Sequence, residues 1–133
     1  MIRPVVLEDM GNLRRYRNKW YRLGIFRQDR DITIDEQFKW FKNEPNLGVI
    51  INESAYGKLY ESGEISFYGF DEWKIEDLKE LMGESCYLHG ECYLNNPYLT
   101  LWLDVGFKVI GHKKNRKYWF PRMWDSLILE YKR

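Results

Sequence analysis

Three side chains are of types that can transfer a proton. Glu64 lies in one β-patterned run, and His89 and Glu91 stand two apart in another. Residues two apart on a strand share a face, so imidazole and carboxylate can work as a pair. Tyr87 and Tyr93 fall on the same face, as walls for a pocket. The two cysteines, Cys86 and Cys92, sit ~20 Å apart along an extended strand, too far for a disulfide. They read as reduced core thiols. His89 and His112 are the only histidines, and no tight Cys/His pairing accompanies them, so no metal site is expected. A phosphate-binding P-loop, a dinucleotide fingerprint, an HExxH helix and a nucleophile elbow are all missing from the sequence.

A chain of 133 residues is one domain's worth, read here as a single domain over 1–133. Aromatics make up 17%, with 6 Trp, 10 Tyr and 7 Phe, so a large core can form without disulfides or metal. No run of eighteen apolar residues occurs, and Met1-Ile2-Arg3-Pro4 shows no basic-then-apolar leader. The expectation is a soluble, cytoplasmic protein. Charge is segregated. Residues 1–30 hold eight Lys/Arg against three Asp/Glu, residues 31–105 five against fifteen, and residues 106–133 eight against two. The ends either neutralise the middle in the fold or meet as a basic patch. The cluster Lys113-Lys114-Asn115-Arg116-Lys117-Tyr118-Trp119-Phe120 reads either as a nucleic-acid surface or as a solvated hairpin loop.

These residues need elements to hold them. Residues 2–7 read as a strand, placed at an edge or strand start by Pro4, followed by a helix from Glu8-Asp9 to about Asn18, with Gly24 ending any continuation. Thr33 with Glu36 forms a capping box for a second helix carrying Phe38, Trp40 and Phe41. A meander of three antiparallel strands spans 47–51, 56–60 and 64–70, the first turn being Asn52-Glu53-Ser54. A third helix covers Ile75–Met82, stopped by Gly83, and a fifth strand Cys86–Leu94. Asn95-Asn96-Pro97 caps a fourth helix ending at Gly106, before strands over Phe107–His112 and Trp124–Tyr131. The fold class is α+β: a mixed, mostly antiparallel seven-stranded sheet flanked by about four helices.

This element order, together with particular residues, resembles the GNAT superfamily of acyl-CoA-dependent N-acyltransferases. The resemblance rests on Ile2-Arg3-Pro4 with Glu8-Asp9-Met10, Leu13 and Arg17-Asn18, on the run Ile32 to Phe41, and on Asn95, Tyr98, Leu101, Trp102, Val105, Gly106 and Phe107 at the spacings of the family's last helix and strand. It implies acetyl-CoA as cofactor and an amine acceptor, a small molecule or a protein N-terminus. By analogy Glu91, His89 and Glu64 are the base candidates on the splayed gap between strands four and five. Phe67, Tyr68, Gly69, Asn95 and Trp102 fall on the cofactor side, and Arg17, Asn18, Phe26 and Tyr87 on the acceptor side.

The sequence also departs from the family pattern. The signature Gln/Arg-x-x-Gly-x-Gly/Ala, whose amides hold the cofactor's pyrophosphate, is replaced by Tyr68-Gly69-Phe70-Asp71-Glu72-Trp73-Lys74, with one glycine and two carboxylates. Trp102 stands where relatives often carry a tyrosine able to protonate the leaving thiolate; an indole N–H is not a usable acid. Two functions therefore stay open. One is N-acetyl transfer from acetyl-CoA to an amine. The other is an inactive GNAT-like structural or binding protein, similar to short GNAT-like virion components of tailed phages, which could be virion-associated and engage nucleic acid or protein through its basic ends.

Overall fold

The computed structural model describes residues 1–23, 25–26, 30–119 and 122–133. Gly24 and Phe120, singled out above, lie outside the described residues. The elements run β1 (Ile2–Pro4), a 3-10 turn at Leu7–Asp9, α1 (Met10–Arg22), α2 (Ile34–Asn43), β2 (Val49–Ile51), β3 (Ala55–Leu59), β4 (Ile65–Gly69), α3 (Ile75–Met82), β5 (Tyr87–Tyr93), α4 (Leu99–Asp104), β6 (Lys108–Trp119) and β7 (Arg122–Lys132).

β1 is shorter than the sequence predicts. The Asp9 carboxylate accepts the Val6 N–H at 2.8 Å and both Arg3 Nη groups at 2.8 and 2.9 Å, bending the chain into the 3-10 turn soon after Pro4. α1 runs four residues past Asn18 because Leu13, Tyr16 and Trp20 continue one buried stripe. α2 starts at the expected capping box, with the Glu36 N–H donating to Thr33 Oγ1 at 3.1 Å. Asn52 and Glu53 both take left-handed φ (51° and 53°), which makes the tight turn between β2 and β3.

The strands form two hydrogen-bonded sets rather than one continuous sheet. β1-β2-β3-β4 is antiparallel throughout, with β1 on the edge as Pro4 requires, and β5-β7-β6 is likewise antiparallel. Among the described residues they join at one parallel bridge, Glu64 to His89, where the His89 N–H donates to Gly63 O at 2.9 Å. Beyond that point β4 and β5 run the same way and separate. Their carboxyl ends are two sides of a wedge.

The basic–aromatic cluster is strand, not a solvated loop: β6 continues past His112 to Trp119. The irregularity between Lys113 and Lys117 is held by Asp125, which accepts the Asn115 N–H at 2.9 Å and meets His112 Nε2 at 2.8 Å.

Candidate functional site

The wedge opens on the side of α1 and the segment before α2, and a cavity of about 440 Å3 fills it. Glu64, just before β4, and Phe67 and Tyr68 of β4 line it on one side, Glu91, Cys92 and Tyr93 from β5, and Arg17 and Phe26 from the helical side; Trp73, Asn96 and Trp102 are also part of the wall. Of the residues the sequence singled out, Glu64, Glu91, Phe67, Tyr68, Trp102, Arg17 and Phe26 are brought together here. His89, Gly69, Asn95, Asn18 and Tyr87 are not part of the lining.

The reasons are local. Arg17 lays its guanidinium 4.5 Å over the Phe26 ring, which sets it at the cavity wall. Its neighbour Asn18 points the other way. Its amide donates to Ile32 O at 3.0 Å and accepts the Ile32 N–H at 2.8 Å, clamping the entry to α2. His89 and Glu91 do share a strand face, but they make no pair. His89 Nε2 lies 3.2 Å from Ser62 O at the junction of the sheets, with Tyr87 packed on it at 5.7 Å. Glu91 accepts from Arg116 Nε at 3.0 Å and from Ser126 Oγ. Among the described residues no cation is paired with the exposed Glu64 carboxylate, which therefore supplies the cavity's anionic rim.

Asn96, rather than Asn95, turns the chain into α4: its Oδ1 accepts the Tyr98 N–H at 2.8 Å. The sequence offered both asparagines, and only the bend of the chain selects one. Burial pushes the Cys92 thiol up to about 12, so it is an inert wall. The phenols of Tyr56 and Tyr68 are likewise pushed up by burial and stay protonated. Among the described residues no group of three or more His, Cys, Asp or Glu is placed to hold a metal, and no helix is long and apolar enough to cross a membrane.

The carboxyl end of the wedge is where the β4–α3 link would receive a pyrophosphate. That link runs from Phe70 to Lys74. It folds back on β4 so closely that a Cβ on Gly69 would stand 2.1 Å from Glu72 O. Trp73 turns inward and stacks on Tyr98, with ring centroids 4.4 Å apart and planes 6° apart, so one aromatic pair bridges the segments that leave β4 and β5. Trp20 abuts both rings edge-on, and Phe67 does the same to Trp73. α3 then begins with Glu76 and Asp77 in its first turn, opposing the anion affinity of a helix start. Asp77 is buried, its carboxylate accepting from Ser54 Oγ at 2.6 Å and Asn52 Nδ2 at 2.8 Å. These residues do not fit a pyrophosphate.

No protein-family model and no curated protein sequence matches the chain. Solved structures do match. The ribosomal-protein-alanine N-acetyltransferase of Brucella melitensis superposes with TM-score 0.78 at 16% identity, covering 100% of this chain and 99% of that one. A GNAT-superfamily phosphinothricin acetyltransferase from Sinorhizobium meliloti, solved with acetyl-CoA, gives 0.77 at 15%, covering 99% and 87%. Spermidine N-acetyltransferase from Vibrio cholerae, solved with CoA and spermine, gives 0.77 at 13%, covering 99% and 94%. This chain has the fold of the GNAT acetyltransferases.

Proposed function

We propose that this chain is an amine-binding protein on the GNAT fold, with the wedge cavity as its ligand site and without acyl-CoA as its partner. The observation that carries this reading is the contrast between the two ends of the wedge. The cavity is rimmed by Glu64 at the bridged end, and at the far end its wall includes Trp73, stacked on Tyr98. Carboxylate and ring faces together suit an organic cation, and spermine is the ligand of one of the structural neighbours.

A second reading, N-acetyl transfer from acetyl-CoA to an amine, is favoured by the wedge itself, since the phosphinothricin acetyltransferase of the same fold was solved with acetyl-CoA. Calorimetric titration separates the two. Tryptamine should bind, Glu64→Gln should weaken it about tenfold, and acetyl-CoA at millimolar concentration should give neither heat nor a thermal shift. Micromolar acetyl-CoA binding, worth about −8 kcal/mol, would overturn the proposal and establish the second reading as the one to pursue with acceptor screens.

A further inference from the structure

A second cavity, of about 470 Å3, lies beside the wedge and is lined by residues of α1, α2, β3 and β4. It shares Arg17, Tyr56, Ser66 and Tyr68 with the wedge cavity, while Gln37, Trp40 and Lys58 line only this one of the two. Gln37 is the residue whose placement needs explaining. It is 7% exposed, and among the described residues its amide has one hydrogen-bond partner, the Met10 thioether at 3.8 Å. A thioether is a weak acceptor. Buried polar groups are otherwise almost always satisfied, so this amide is short of partners on the cavity side.

Charge in the lining cancels, with Arg17 and Lys58 standing against Glu36 and Glu44. Lys58, its side chain 8% exposed, meets Glu44 at 3.3 Å, and Glu36 is held by Arg30 at 2.7 and 2.8 Å. A ligand with net charge would lose its hydration there without an opposite charge left to answer it. A neutral ligand avoids that cost. The Gln37 amide then narrows the class, because it offers a donor and an acceptor side by side. A carboxylate meets only the donor, and an ammonium only the acceptor. A second amide edge meets both, through paired N–H···O bonds, and leaves no buried polar group unmade. The other walls are aromatic, with Trp40 edge-on to Tyr56 at 6.4 Å and Tyr60 and Tyr68 also in the lining. The volume lies in the range of pockets that hold small organic ligands.

We infer that this second cavity is a separate binding site for a neutral aromatic carboxamide, its ring against Trp40 and the tyrosines and its amide edge paired with Gln37. This does not depend on amine binding in the wedge. Indole-3-acetamide and indole-3-acetate share ring and shape, and differ in charge and in the donor group. Calorimetric titration of the full chain should show indole-3-acetamide binding at one site, at least tenfold tighter than indole-3-acetate. Gln37→Leu should weaken indole-3-acetamide tenfold or more and leave tryptamine binding unchanged. Glu64→Gln should do the reverse. The inference is overturned if indole-3-acetamide fails to bind at millimolar concentration, if indole-3-acetate binds as tightly, or if Gln37→Leu binds indole-3-acetamide as well as the natural chain does. Failure of tryptamine alone would sink the amine reading and leave this one standing. Gln37→Met, also close in size and without the amide, takes the same place in the test if Gln37→Leu does not fold.

Discussion

Asp9 and Lys117 show how single buried charges set the response of this protein to pH. The Arg3 guanidinium, with the Val6 N–H, holds the Asp9 carboxyl below the usual carboxylate range. A carboxylate with a depressed folded-state pKa contributes stability above its unfolded pKa of about 3.9, and that contribution is lost as pH falls through the folded value. Asp9→Asn should therefore cost about 2 kcal/mol at pH 7, with the difference from the natural chain closing as urea midpoints are followed into strong acid. Lys117 is the opposite case. It is 9% exposed with its ammonium 5.0 Å over the Tyr93 ring, and burial lowers its pKa to about 8. Between about pH 8 and its unfolded value near 10.4, the unfolded chain binds the extra proton, so stability should rise with pH across that window. Lys117→Met should remove the rise; an unchanged slope in the variant would assign it to another group.

Helix starts and strand ends carry the next level of control. α2 depends on the reciprocal Thr33–Glu36 box. Thr33→Ala should cost about 1 kcal/mol in chemical denaturation. Gly69 is more demanding, because the atom a methyl group would meet is the backbone carbonyl of Glu72, which cannot swing aside. Gly69→Ala should destabilise by about 1–3 kcal/mol and disturb the Trp73–Tyr98 stack, visible as a changed near-UV circular dichroism. The Trp20 indole donating to Gly69 O at 2.7 Å fixes the same point from the helical side. The end of β4 is thus pinned by a hydrogen bond, a tight backbone contact and a stacked ring pair.

Across the whole molecule, part of the segregated charge of the sequence resolves into pairs among the described residues. Arg3 meets Glu53, Arg22 meets Asp31, Arg30 meets Glu36, Arg116 meets Glu91 and Arg133 meets Glu84. In each pair a cation from a basic end faces a carboxylate of the acidic middle. With those cations answered, a labelled single-stranded oligonucleotide should show weak anisotropy change even at low salt. A binding curve that steepens sharply as salt is removed would instead point to Lys113, Lys114 and Arg122 on the β6–β7 hairpin.

The sequence by itself determined the fold class, the element order and the capped start of α2, because alternation, turn residues and capping boxes act within a few residues of each other. Tertiary structure alone decided which chemistry-bearing residues meet. Glu64 and Glu91 reach one cavity because β4 and β5 share a single bridge and then part, whereas His89, two residues from Glu91, is held back at that bridge. Asn18 and Arg17 are adjacent in the chain and point to different tasks. Trp73 reaches the cavity wall where it finds Tyr98, twenty-five positions away, across a gap that no local pattern encodes. Propensity is short-ranged; the pairing of surfaces distant in the chain is settled only when the core packs.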